Sequence, residues 1–479
     1  MTPATTPGAG LPRLPGQPGK VAAGGAAHDG APGAARDGEP RADAVRPVAA
    51  RALLVAGAVV AAVAAAAYVT ALATHPWKSL LNGFDLQVYL GGAQQALHHA
   101  ANLYSWHYRH DLGIQFTYTP FAALLFAAGL AVPFQALMGL VSAAGTFGLA
   151  ATVWIALREL GWRSLPARAG ATLLVTGLAF WTEPVQRALY LGQVELVMMA
   201  VIVWDMCQPD RRRWKGAALG VTAGVKLVPL LFIAYLLVTR RFRQACVACA
   251  AFAATVVIGF AALPGPSVTW WLKLNFLEAG RTGFVGDQQN QSLRGIVTRA
   301  AGSVAAGQWP WLAVAVVVAL AGLAAAVVLS NSGRPYGPFA GLLTCSLTAL
   351  LASPISWDHH WVWIAPAVAL FLSLGAGASR AARAGWLGLA GLVLAIYGAW
   401  PDFWRPAAGL LQGGLINYAP AAVFAHGDNP AYPEYHWNGL QSLAGNLYLL
   451  GGFALFAVAL VAAARLLRAG GMALLRGPG

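Results

Sequence analysis

Carboxylates are scarce in this 479-residue chain, which carries 17 Asp and Glu against 31 Lys and Arg. Those beside apolar stretches therefore draw the first attention. Asp85 lies in Phe84-Asp85-Leu86-Gln87-Val88-Tyr89, shortly past the first membrane-length apolar run. A carboxylate at a membrane interface, flanked by aromatics and not by basic partners, is costly to desolvate and points to function. The alternative is an interfacial Asp that caps a short helix after Gly83. Ser353-Pro354-Ile355-Ser356-Trp357-Asp358-His359-His360-Trp361 is the most specific run by composition. Two imidazoles beside a carboxylate, walled by tryptophans, suit phosphate or sugar contact, with Asp358 orienting one ring. A shared metal ion fits less well, because adjacent histidines on a helix point roughly 100° apart.

Further candidates are spread along the chain. Gly192-Gln193-Val194-Glu195 sets an amide and a second intramembrane acid at the end of an apolar run; helix packing is the other reading of Glu195. Lys226, in Gly224-Val-Lys226-Leu-Val-Pro229, must snorkel, pair with an acid or meet a substrate phosphate. The polar run Asp287-Gln-Gln-Asn290-Gln291-Ser292-Leu293-Arg294 offers a guanidinium fork suited to phosphate, or a solvated loop arginine. Tyr118, in Phe116-Thr-Tyr118-Thr-Pro120, is an aromatic wall for a sugar or an interface anchor.

The elements that must position these groups are membrane helices. With 58% hydrophobic and 10% charged residues, a soluble globular fold is excluded. Apolar runs near the ~20 residues needed to cross a bilayer recur without period-2 alternation, so they are helices. The net charge of +14 does not indicate nucleic-acid binding. Its arginines fall in short loops (Arg158, Arg163 and Arg168; Arg211 to Arg213 with Lys215; Arg240, Arg241 and Arg243; Arg380 and Arg383; Arg465, Arg468 and Arg476), the pattern that marks cytoplasmic loops. Cys207, Cys246, Cys249 and Cys345 read as small core residues; Cys246-Val-Ala-Cys249 lacks the βαβ context of a redox motif. No metal cluster and no nucleotide-binding motif emerges.

Residues 1–48 are rich in Gly, Pro and Ala, lack Phe, Trp and Tyr, and read as a disordered cytoplasmic tail. A membrane domain over 49–468 and a cytoplasmic tail over 469–479 follow. The first span runs from about Ala52 to Leu72. Further spans are expected near 120–157, 169–183, 189–206, 215–239, 244–263, 311–330, 337–352, 361–377, 386–400 and 446–466. The run 120–157 divides at Pro133, or the run 214–239 divides near Lys226 and Pro229; with both termini inside, parity admits one break and not both. About twelve spans result. Outer loops then fall at 74–119, which includes an interfacial amphipathic helix begun by Asp85, at 264–310 and at 401–445, with a short outer turn at 353–360. Polar side chains thus converge on one membrane face, as a site acting on a lipid-linked substrate requires.

In this order, Phe-Asp-Leu-x-Val-Tyr, Phe-Thr-Tyr-x-Pro-Phe-Ala-Ala-Leu, Gly-Gln-Val-Glu, Gly-Val-Lys-Leu-x-Pro, Asn-Gln-Ser-Leu-x-Gly-x-x-x-Arg and Ser-Pro-Ile-Ser-Trp-Asp-His-His resemble glycosyltransferase family 87. These are actinobacterial polyprenyl-phosphate-mannose-dependent α-(1→2)-mannosyltransferases. The resemblance covers about 53–466 and departs from the family at Glu195, where Asn is frequent. It implies an all-α polytopic GT-C fold in the cell membrane, with its site on the extracytoplasmic side. It further implies Asp85 as catalytic base and His359 and His360 as contacts to donor phosphate or acceptor. Tyr89, Tyr118, Gln193, Lys226, Asn290, Arg294, Trp357, Asp358 and Trp361 are the expected substrate contacts. The implied partners are a polyprenyl-phosphate-mannose donor, a glycolipid or lipoglycan acceptor and membrane lipids, with no cofactor. Two rivals remain: transfer of arabinofuranose from a polyprenyl phosphate, and a lipid or sugar transporter, for which no internal repeat is seen.

Overall fold

The computed structural model describes residues 47–77, 80–109, 114–400, 416–417 and 433–470. Most of the two expected tails and of the 401–445 loop lie outside the described residues. Helix α1 (Pro47–Thr74) opens with Pro at its first turn, where no amide partner is needed. Val55, Val59, Val63 and Val69 on it are more than half exposed, as they must be when lipid is the solvent. Gly57 of α1 meets Gly170 so closely that an added Cβ would fall 2.2 Å from the Gly170 carbonyl oxygen. Small residues allow this approach of two helices.

The chain continues through α2 (Phe84–His98), a two-strand ribbon of β1 (His107–Arg109) and β2 (Ile114–Gln115), α3 (Pro120–Ala127), α4 (Phe134–Glu159) and α5 (Leu165–Ala179). Helices α6 (Glu183–Leu191) and α7 (Glu195–Met206) form an elbow bent by 113°. Gly192 caps α6 at φ 71°, a left-handed conformation that glycine adopts freely, and an added Cβ would strike Leu86 and Met138. Then follow α8 (Ala217–Val225), α9 (Leu230–Val238), α10 (Phe242–Ala262), the single turn α11 (Pro264–Ser267), α12 (Leu293–Ala301), α13 (Val304–Ser330) and α14 (Gly337–Ala352). A 3-10 turn at Asp358–Trp363 leads into α15 (Ile364–Ala376), followed by α16 (Arg380–Tyr397), α17 (Gly439–Gly445) and α18 (Leu447–Gly470). The larger core joins α4, α5, α7, α9 and α13–α16 with α18; a smaller one packs α2 against α3 through Leu86, Tyr89, Phe116 and Met138.

This is a polytopic, mostly helical membrane protein, but twelve full spans are not what the described residues form. Six helices are long and apolar enough to cross a bilayer, and the α6–α7 elbow would make a seventh. Both doubtful runs are broken: α3 ends before Pro133, and α8 and α9 flank an extended Lys226 at φ −137°, ψ 133°. The parity argument failed because it counted helices as crossings. A nine-residue helix such as α8 or α9 is only about 13 Å long, short of the ~30 Å apolar layer. Helices broken this way persist only where protein satisfies the freed backbone groups. Thr119 does so twice: its hydroxyl accepts from Ala122 N at 3.1 Å, capping α3, and donates to the Gly224 carbonyl at the end of α8.

Candidate active site

Asp85, Gln193, Glu195, Lys226 and the histidine pair sit at helix ends or breaks. Asp85 lies in the first turn of α2, whose Gly83 N–H donates to the Tyr190 carbonyl at 2.8 Å. It does not cap the helix with its side chain; instead its Oδ2 accepts from Gln193 Nε2. Gln193 Oε1 in turn accepts from Tyr89 Oη at 2.5 Å, and Tyr89 Oη lies 2.9 Å from Tyr118 Oη. Gln193, Tyr89 and Tyr118 are therefore linked to the carboxylate itself. Burial pushes the Asp85 carboxyl above the usual range, while His359 and the Gln193 amide pull it back. His359, Glu195 and Lys226 all act on Asp85 electrostatically, so the α2 aspartate lies within charge range of these groups.

Lys226, between α8 and α9, settles its own ambiguity. Its ammonium pairs with Glu195 Oε1, lies 2.9 Å from His360 Nε2 and stands 5.7 Å over the Tyr118 ring. His360 Nε2 is also 3.3 Å from Glu195 Oε1. His359 Nδ1 is 3.0 Å from Asp358 Oδ1, which also accepts the His359 amide at 2.7 Å. The spacing argument had the two imidazoles diverge, yet ligand atoms of Glu195, His359 and His360 lie within 4.8 Å of one another. The 3-10 turn sets the rings edge to face with centroids 4.7 Å apart. The Lys226 ammonium holds the ground between Glu195 and His360 that a metal ion would need.

Other candidates engage the protein itself. Asn290 is fully buried; its amide donates to the Val285 and Pro354 carbonyls and accepts from Ser356 N at 3.0 Å. Asp358 N donates to the Gln289 carbonyl and Gln291 N to the Ser356 carbonyl, so the polar loop splints the histidine turn and Asn290 has no group turned to a ligand. Arg294 donates to Gln308 Oε1 at 2.8 Å and stands over the Trp311 ring at 4.8 Å, with its buried Nε unpartnered among the described residues. Trp361 is buried in the core, stacked on Tyr397 at 5.5 Å, whereas Trp357 is only half-buried.

Two residues passed over in the sequence belong here. Arg187 of α6 has its Nε 3.7 Å from Asp358 Oδ2, and the buried Glu183 faces both groups. The signal was Thr182-Glu183-Pro184-Val185-Gln186-Arg187, an acid and a base four residues apart on an apolar segment. Around Lys226 a partly open cavity is lined by Glu195, Ser356 and His360 and by Met198, Ile202, Phe232, Leu350 and Trp363. Its walls are largely apolar, with Glu195, Lys226 and His360 as the ionisable groups.

A family model for glycosyltransferase family 87 matches residues 116–354. The chain is 32% identical over 356 residues to the polyprenol-phosphate-mannose-dependent alpha-(1-2)-phosphatidylinositol pentamannoside mannosyltransferase of Mycolicibacterium smegmatis, covering 70% of this chain and 83% of that protein. The Mycobacterium tuberculosis protein of the same description is 32% identical over 380 residues, 78% and 81% of the two chains. The chain belongs to glycosyltransferase family 87. Another family 87 relative, the polyprenol-phosphate-mannose-dependent alpha-(1-2)-phosphatidylinositol mannoside mannosyltransferase of Mycobacterium tuberculosis, is 30% identical over 329 residues, 65% and 74% of the two chains. No solved structure matches. Membership makes this a membrane sugar transferase, and it places Gln193, Lys226, Asn290 and Arg299 inside the segment that the family 87 model recognises.

Proposed function

We propose that this protein transfers mannose from a polyprenyl-phosphate-mannose donor to a glycolipid or lipoglycan acceptor, forming an α-(1→2) linkage with inversion. One observation carries the reading: Lys226 and His360 line a largely apolar cavity, and the Asp85 carboxylate lies within electrostatic reach of Lys226. A lipid phosphate needs just such a setting, with apolar walls for the first carbons of its chain. The relatives named above use a polyprenol-phosphate-mannose donor.

In this mechanism Asp85 takes the proton of the acceptor hydroxyl as that oxygen bonds the anomeric carbon. The anomeric carbon–oxygen bond to phosphate breaks, its electron pair stays on the phosphate, and polyprenyl phosphate departs. Lys226 meets the growing phosphate charge, and His360, on which its ammonium rests, holds it in place. Gln193 and Tyr89 aim Asp85. Attack opposite the leaving group converts a β-linked donor to the α product.

The site is assigned to the outer face of the cell membrane. Helix α4, 26 residues and about 39 Å long, presents Met138 to Gly192 near one end. At its other end Arg158 donates to the Cys207 carbonyl just past α7, and in the loop that follows the Arg212 carbonyl accepts from Arg243. Basic loops gathered at that end favour the cytoplasm, which leaves the carboxylate–histidine cluster outside. The test is transfer from labelled polyprenyl-phosphate-mannose by the purified protein, with linkage analysis of the product. Transfer from the arabinose donor alone, or none from either, would end the reading.

A further inference from the structure

Glu195 and His359, neighbours in one cluster, each keep one buried ligand atom open. Glu195 gives Oε1 to Lys226, while its Oε2 is buried with no hydrogen-bond partner among the described residues. His359 turns Nδ1 to the Asp358 carboxylate at 3.0 Å, and its buried Nε2 is also without a partner there. Glu195 Oε2 is an acceptor and His359 Nε2 accepts or donates with its protonation, on residues whose ligand atoms lie within 4.8 Å.

The chemistry of the missing partner follows from that. A phosphate is itself an acceptor and would leave Glu195 Oε2 unmet. A metal ion would find Glu195 Oε1 and the His360 Nε2 lone pair already engaged by the Lys226 ammonium, leaving two ligands where zinc sites use three or four. A polyol supplies the complement: one hydroxyl donates to Glu195 Oε2, and a neighbouring one, donor and acceptor alike, meets His359 Nε2. Leaving a buried carboxylate oxygen unmet is costly, so such a pair also discriminates strongly against an analogue that lacks one hydroxyl.

We propose that Glu195 Oε2 and His359 Nε2 form the hydroxyl-reading subsite for the donor sugar, and that Glu195 is its main specificity determinant. This rests on the transfer reading above. The donor sugar is the natural occupant, because Lys226 meets the phosphate and shares Glu195, and the sugar is the group bonded next to that phosphate.

The experiment compares polyprenyl-phosphate-mannose with its 2-, 3-, 4- and 6-deoxy analogues on the wild type, Glu195→Gln and His359→Gln. In Glu195→Gln the amide oxygen is claimed by Lys226, which turns an N–H donor toward the sugar. At least one deoxy donor should lose on the order of 10–100-fold in kcat/KM on the wild type. That penalty should fall to within about threefold on Glu195→Gln, while penalties at the other positions persist. His359→Gln should erase the penalty at the same hydroxyl or its neighbour. Equal penalties on the wild type and both variants overturn the subsite, as does activity lost to a chelator and restored by a divalent cation. Wild type that transfers normally but ignores every deletion overturns the subsite and leaves the transfer reading standing; wild type inert toward the unmodified donor ends both.

Discussion

The Lys226 ammonium stands 2.9 Å from His360 Nε2 across 134 residues of sequence. A helix break presents the one and a 3-10 turn the other, and Glu195 at a third interruption touches both. Straight membrane helices would keep their backbone polar groups to themselves and offer only side faces. Interrupting them lets short polar segments from α2, α7, α8 and the turn before α15 meet in one place.

Replacing Asp85 with Asn removes the proton acceptor but keeps the shape and the contact to Gln193. Transfer should fall at least ~100-fold, with the melting temperature in detergent unchanged. Full activity with a lipid-linked donor would remove Asp85 from the mechanism.

His360→Ala and Lys226→Met should each cost on the order of 100-fold in transfer. Lys226→Met should also weaken binding of polyprenyl phosphate, measured by equilibrium titration. A mild effect of His360→Ala would shift the role to His359 or away from both rings.

The raised Asp85 carboxyl sets the pH dependence. A general base works deprotonated, so kcat/KM should climb with pH through an inflection above the ordinary Asp value of about 4. Gln193→Ala removes a contact that holds this carboxyl down, so it should move the inflection further up. A profile flat from pH 4 to 8 in the wild type would contradict the assignment.

Asn290→Ala strands the Ser356 amide and the Val285 and Pro354 carbonyls that the side chain now engages. The expected cost is about 1–3 kcal/mol of stability, with kcat reduced because the histidine turn loses its splint. Thermal unfolding and steady-state kinetics on the same sample check both parts.

Burial raises the Asp287 carboxyl to about 6. The fold thus favours the protonated form; its stabilising share is full below pH ~4 and is lost as pH rises through about 6. Asp287→Asn mimics that form and retains an oxygen to accept the Gln289 amide. The variant should match the wild type near pH 4 and unfold at a higher temperature at pH 8. No gain at pH 8 would show that this carboxylate carries no such penalty.

The apolar runs alone determined a helical membrane protein, since a bilayer leaves the backbone no other way to pair its polar groups except a closed barrel. Local motifs likewise singled out Asp85, Gln193, Lys226 and the histidine pair, because charged and amide groups beside apolar runs are rare for energetic reasons. Three-dimensional packing decided how each is used. Asn290 and Trp361 carry the right chemistry but turn it inward, to a backbone splint and to Tyr397. Arg187 attracted no notice until Asp358 appeared 3.7 Å away. Hydropathy measures how apolar a run is, and says little about whether a proline or an extended lysine divides it into pieces too short to cross. Partners more than a hundred residues apart are chosen by tertiary packing, which no local periodicity encodes.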